Sequence, residues 1–135
     1  MRILIAEDDF YSRKILEKFL LAYGDCDVAA NGEEAVQSFR MAWEEKQPYD
    51  LVLLDIMMPS VDGQQALKQI REFERSKGIV GFGEAKVVMV TALDDPKSVV
   101  RAFYDGGASS YVVKPIDKEK LGEELDKLGF SPKAS

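Results

Sequence analysis

Short apolar runs alternate with amphipathic segments five times along the chain. The runs are Ile3-Leu4-Ile5-Ala6, Val28-Ala29-Ala30, Leu51-Val52-Leu53-Leu54, Val87-Val88-Met89-Val90 and Tyr111-Val112-Val113. Each is too short for a helix and lacks polar alternation, which predicts strands buried on both faces of a parallel sheet. Between the runs, apolar residues recur three and four apart, the spacing of one helix face. These stripes are Ile15, Leu16, Phe19 and Leu20; Ala35, Val36, Phe39 and Trp43; Ala66, Leu67, Ile70 and Phe73; Val99, Val100, Phe103 and Tyr104; and Leu121, Leu125 and Leu128.

Helix start signals agree with these limits. Asn31 followed by Glu34 reads as a capping box, in which each side chain satisfies a backbone N–H of the other's turn. Asp95-Pro96 sets a capping carboxylate before a proline, which loses no hydrogen bond in the first helical turn. Asp62-Gly63 and Asp117 open the third and fifth helices, and Asp9 reads as the cap of the first. Five βα units in series imply right-handed crossovers and an α/β fold, a doubly wound five-stranded parallel sheet covered on both sides. The interval from Leu51 to Val87 is longer than the others. Its excess falls in the glycine-rich stretch Ser76 to Gly83, a surface insertion on the sheet edge away from the strand carboxyl ends. The domain is expected over residues 1–128, with 129–135 a frayed C-terminal tail.

In open α/β sheets, sites form outside the carboxyl ends of the strands. The residues there are Glu7-Asp8-Asp9 after the first strand, Asp55 after the third, Thr91 after the fourth and Lys114-Pro115 after the fifth. Thr91 alone is an ordinary strand residue and Lys114 alone an ordinary surface lysine; the weight lies in their joint arrangement. Carboxylates gathered on one rim repel one another and raise one another's pKa. A cation relieves this, and magnesium fits best, since it binds one or two carboxylates, keeps waters and completes its shell with phosphate oxygens.

Composition narrows the chemistry. The chain has 135 residues, 46% hydrophobic and 31% charged, enough for one soluble domain. With 24 acids against 18 bases, the net charge of −6 argues against direct nucleic-acid binding. There is no histidine, which excludes imidazole catalysis and His zinc sites on this chain, and the single Cys26 cannot form an internal disulfide or a thiolate cage. No apolar run reaches the ~18 residues of a membrane span, and Arg2-Ile3-Leu4-Ile5 leaves no room for a signal peptide. A cytoplasmic setting without membrane contact is expected.

The sequence closely resembles the receiver domain of two-component response regulators, including the stand-alone chemotaxis type. The resemblance is carried by Ile3-Leu4-Ile5-Ala6-Glu7-Asp8-Asp9, by Asp50 to Pro59 with Asp62-Gly63, by Val90-Thr91-Ala92 and by Gly107 to Pro115. It covers the chain from Arg2 to about Leu128 and implies the flavodoxin-like strand order 2-1-3-4-5. By the family pattern, Asp55 is the phosphoacceptor. Glu7 and Asp8 match the acidic pair, with Asp8 the more direct magnesium ligand beside Asp55 and the Met57 backbone carbonyl. Glu7 stands where aspartate is commoner and acts through a water. Thr91 matches the switch hydroxyl, Lys114 the phosphate-binding lysine and Tyr111 the aromatic switch, and the Lys114–Pro115 bond is expected cis.

The resemblance implies magnesium-dependent phosphoryl transfer to Asp55 from a phosphohistidine of a sensor histidine kinase or phosphotransfer protein, or from a small donor such as acetyl phosphate. The chain is then no classical enzyme: it catalyses only its own phosphorylation and dephosphorylation. Phosphorylation adds about −1.5 to −2 charge. That charge draws Thr91 inward, makes room for Tyr111 and switches a protein-binding surface on the fourth helix, fifth strand and fifth helix toward a downstream partner. In the family, the residues two beyond the acceptor and two beyond the switch hydroxyl govern water access. Here they are Met57 and Leu93, neither able to orient a water, so slow self-dephosphorylation is expected.

Three other readings fare worse. A magnesium-dependent phosphatase with an aspartyl nucleophile usually carries a second Asp at the position held by Met57. Glu7-Asp8-Asp9 would repel a flavin phosphate, and Gly81-Phe82-Gly83 precedes a strand with Lys86 rather than a dinucleotide-binding helix. A non-phosphorylated module would be favoured by loss of Asp55 or Lys114, and both are present.

Overall fold

Every strand is central or edge in a single five-stranded sheet, all neighbours parallel, in the order β2-β1-β3-β4-β5. The computed structural model describes residues 1–58, 60–92 and 96–133. The elements are β1 (Arg2–Ala6), α1 (Phe10–Leu20), β2 (Asp25–Ala29), α2 (Gly32–Glu44), β3 (Leu51–Asp55), α3 (Gly63–Ser76), β4 (Lys86–Thr91), α4 (Pro96–Arg101), β5 (Ser110–Val113) and α5 (Lys118–Lys127). The doubly wound α/β architecture and the 2-1-3-4-5 order are as expected. Among the described residues, no helix is long and apolar enough to cross a membrane.

Alternate strand residues feed two cores. Leu4, Val52, Leu54, Val87 and Met89 face α2, α3 and Ala102, while Ile3, Ile5, Leu51, Leu53, Val88 and Val90 face α1 and α5. This is why the central runs show no polar alternation: both sides are apolar, and burial stabilises each such side chain by roughly 1.5–3 kcal/mol.

The outer strands depart from that expectation. β2 runs over Asp25–Ala29 rather than 28–30, and Val28 is 45% exposed; on the other edge Tyr111 is 41% exposed. Edge strands have a neighbour on one side only, and acids such as Asp25 and Asp27 discourage pairing with another chain.

The helices show two further differences. Ile15 of the α1 stripe is exposed, and Leu16 and Leu20 carry that contact. In the fourth helix, Val99 is half-buried, Val100 is 54% and Tyr104 85% exposed, and the buried residue is Ala102. The cause is local: α4 is short and runs into a π turn, Ala102–Gly106. Its wider winding shifts the phase that a 3.6-residue repeat assumes.

The caps behave largely as read. The Asn31 side chain accepts from Glu34 N–H, while Glu34 Oε2 accepts from the N–H of Ala30, one residue before the helix cap. Asp62 and Gln65 form a full reciprocal box, and Asp117 accepts from the N–H groups of Glu119 and Lys120. The Asp95 cap, Pro59 and Leu93 lie outside the described residues. The insertion forms a surface loop with one 3-10 turn, Gly81–Gly83, ahead of β4. Past α5 the chain does not fray at once: Phe130 packs against the α1/α5 core and Lys133 N–H donates to Ala22 O.

Candidate functional site

Parallel strands deliver their last residues to one rim, and the chemistry-bearing side chains meet there. One carboxylate oxygen from each of Glu7, Asp8 and Asp55 lies within 4.8 Å of the others. Glu7 is fully buried and Asp55 nearly so, whereas Asp8 faces solvent. Lys114 Nζ donates to both buried acids, at 3.0 Å to Glu7 Oε1 and 3.0 Å to Asp55 Oδ2.

One ammonium facing these acids leaves the site short of positive charge. Burial first, and then hydrogen bonding and charge repulsion with Asp55, push the Glu7 carboxyl up to about 7 against the opposing pull of Lys114. Burial also works to lower the Lys114 pKa, but its hydrogen bonds to Asp55 and Glu7 outweigh this and hold it above its ordinary value. Glu7 Oε2 is buried with no hydrogen-bond partner among the described residues. A buried carboxylate oxygen without a donor is costly, and a cation would satisfy it. Hard oxygen donors, one of them open to solvent, suit a divalent ion that keeps part of its water shell.

Local structure explains how each side chain arrives. Asp9 caps α1, accepting from Ser12 N–H at 2.9 Å, and that bond holds its carboxyl below the usual value. Its own N–H donates to Glu7 Oε1 at 3.2 Å. Asp55 ends β3, and the Met57 N–H donates to Asp55 Oδ1 at 3.2 Å. α3 begins close by because residue 63 is glycine: a Cβ there would collide with the Asp55 carbonyl oxygen. Lys114 follows β5, with its N–H on Thr91 O at 2.8 Å and a cis bond to Pro115.

The side chains of Thr91 and Tyr111 make other contacts. Thr91 is buried on β4 beside β3, but its hydroxyl donates to Ala92 O at 3.4 Å rather than to a carboxylate. Tyr111 lies on the β5 edge, stacked edge-to-face on Phe103 at 6.0 Å. Met57 is 71% exposed. Sequence reasoning missed Arg13, whose guanidinium donates to Glu7 O at 2.9 Å. The available signal was a basic residue one helical turn beyond the Asp9 cap. It also missed a buried ion pair on α3, Arg71 Nη1 to Glu74 Oε1 at 2.7 Å.

Known proteins resemble this chain over nearly its whole length. The family model of the response regulator receiver domain matches residues 3–126. The two-component response regulator ORR41 of Oryza sativa subsp. japonica is 38% identical over 131 residues, covering 95% of this chain and 94% of that protein. The chemotaxis protein CheY of Bacillus subtilis (strain 168) is 32% identical, covering 93% and 95%. Among solved structures, the CheX-CheY-BeF3-Mg+2 complex from Borrelia burgdorferi aligns with a TM-score of 0.80 at 29% identity, over 97% of this chain and 90% of that one. The complex of the Saccharomyces cerevisiae histidine phosphotransfer protein Ypd1 with the receiver domain of Ssk1 aligns at 0.80 and 28% identity, over 96% and 88%. The chain belongs to the response regulator receiver domain family.

Proposed function

We propose that Asp55 is the phosphoacceptor of this signalling switch, with Lys114 as the cation that receives the incoming phosphoryl group. The observation that carries this reading is the pairing of buried Asp55 with Lys114 Nζ at 3.0 Å, beside Glu7 and Asp8. A carboxylate attacking an anionic phosphoryl group meets charge repulsion. Lys114 offsets it as a mobile point charge able to follow the group from donor to acceptor. An Asp55 oxygen forms the new P–O bond as the donor's P–N bond breaks, and the electron pair leaves with the donor imidazole. Magnesium, for which Asp8, Asp55 and the Met57 carbonyl are the ligands with Glu7 beside them, supplies charge neutralisation at the acceptor when bound.

The donor is the phosphohistidine of a sensor histidine kinase or of a phosphotransfer protein; a small acyl phosphate can replace it. Ypd1, bound to a similar receiver domain in a related complex, is a protein of that donor class. The cytoplasm, where ATP is available to charge a donor histidine, is the compartment this reading assigns to the exchange. On phosphorylation, Thr91 exchanges Ala92 O for a phosphate oxygen, and the Tyr111 ring leaves Phe103 to fill the vacated space. The surface of α4, β5 and α5 changes shape for a downstream protein. The chain acts on no external substrate: it promotes only its own phosphorylation and hydrolysis. Incubation with acetyl phosphate and magnesium, read by intact mass, tests the assignment. A single phosphoryl adduct on wild type and none on Asp55→Ala is expected; equal labelling of the two, or of neither, overturns it.

A further inference from the structure

The exit of the fourth helix is tied to α3 and β4 by a buried polar network. Arg71, on the buried face of α3, sends Nε to Gly107 O at 3.1 Å and Nη1 to Ala85 O at 2.8 Å and to Glu74 Oε1 at 2.7 Å. Glu74, fully buried, accepts from Ala85 N–H through Oε2 at 2.8 Å. One ion pair thus ties the start of β4 to the residue that ends the π turn. Gly107 has φ +77°, and its N–H and that of Ala108 both fall on Ala102 O. Ser109 then bonds β4 twice, N–H to Val87 O at 2.8 Å and Oγ from Val87 N–H at 3.0 Å.

Packing supports the same end of the helix. Ala102 is fully buried, and Gly106 lies so close to α3 that an added Cβ would stand 2.5 Å from Leu67 Cδ2. Ala108 packs against the same core, and beside it a polar cavity of about 400 Å³ opens between the insertion loop and residues 104–109, with Arg71 in its wall. The guanidinium is a polar link from α3 to both Ala85 and Gly107. In α4 itself, Pro96 and Lys97 are exposed, Val99 is half-buried and Val100 is mostly exposed.

We infer that the Arg71–Glu74 pair makes the π turn a fixed pivot, so that phosphorylation swings α4 while residues 102–109 stay in place. Buried ion pairs add little net stability but can hold one geometry against alternatives. Arg71 suits that task because its planar fork reaches three acceptors at once, which a lysine ammonium on a flexible stem does not reproduce. Arg71 is a positioning residue: it touches neither Asp55 nor Lys114 and acts through the Gly107 carbonyl. The inference rests on the phosphoacceptor reading above and adds where the resulting motion stops.

Amide hydrogen exchange of the full chain, with and without phosphorylation by acetyl phosphate and magnesium, tests it. In wild type, exchange is expected to change more than about threefold in residues 97–101 and less than that in 102–109. In Arg71→Lys, and independently in Gly106→Ala, the change is expected to extend into 102–109 while labelling of Asp55 persists. A wild-type change of equal size through both segments overturns the pivot, as does confinement retained in either folded variant. Absence of label on Asp55 overturns the acceptor assignment, and the pivot with it.

Discussion

Replacing Glu7 by glutamine isolates the electrostatic strain of the metal-free site. Glu7 is fully buried, one of its oxygens has no partner, and its carboxyl is pushed up from 4.5 to about 7. Because the folded chain holds this proton more tightly than the unfolded chain does, the group's contribution to stability is complete below about pH 4.5. It is lost as pH rises through about 7. One pKa unit corresponds to about 1.4 kcal/mol, so ionising Glu7 costs the fold up to about 3 kcal/mol by pH 8. The Glu7→Gln side chain keeps the volume and cannot ionise. Denaturant unfolding in the presence of a chelator, at steps between pH 4.5 and 8, is expected to show the variant gaining on wild type as pH rises. Groups remote from the site titrate alike in both chains and cancel, so the difference reads Glu7 together with its coupling to Asp55 and Lys114. A difference that stays flat within about 0.5 kcal/mol across that range refutes the reasoning.

Millimolar magnesium is expected to raise the melting temperature of wild type, and the Asp8→Asn/Asp55→Asn variant to lose that rise; an undiminished shift would place the ion elsewhere. Met57→Asn with Leu93→Glu adds groups able to orient a water, and one such hydrogen bond corresponds to acyl-phosphate hydrolysis about tenfold faster than wild type. Equal decay rates of the two phosphoproteins would discard that account. Gly63→Ala forces α3 away from the Asp55 carbonyl; a loss of about 1–3 kcal/mol is expected by thermal unfolding, with slower labelling by acetyl phosphate. An unchanged melting temperature would mean that the close approach is not required.

The central strands were legible because their burial on both faces leaves a mark on every residue: Ile3 to Ala6 and Leu51 to Leu54 contain no polar position. The helix starts were legible for a similar reason, since Asn31, Asp62 and Asp117 meet backbone N–H groups two or three residues away. The candidate site could be read as a set of strand ends, since charged Glu7, Asp8, Asp55 and Lys114 directly follow apolar runs. Fold order and site roles came further into view through the receiver-domain resemblance, which rests on those same segments.

Other features are absent from any local stretch of chain. Val28 and Tyr111 belong to apolar runs, yet their exposure depends on β2 and β5 being the outermost strands. The α4 stripe has helical spacing, but the π turn at Ala102–Gly106 rotates it away from the core, and that turn is seated by Leu67 and Arg71 of another helix. Arg71 and Glu74 read as ordinary charged residues three apart; their burial follows from Ala85 and Gly107 closing over them. The sequence alone determined which segments form strands and helices and which charges stand at their ends, because periodicity and capping act between near neighbours. Tertiary structure alone decided which strands are edges, which helix face is buried and which carboxylate oxygen lacks a partner, because each depends on atoms from distant parts of the chain.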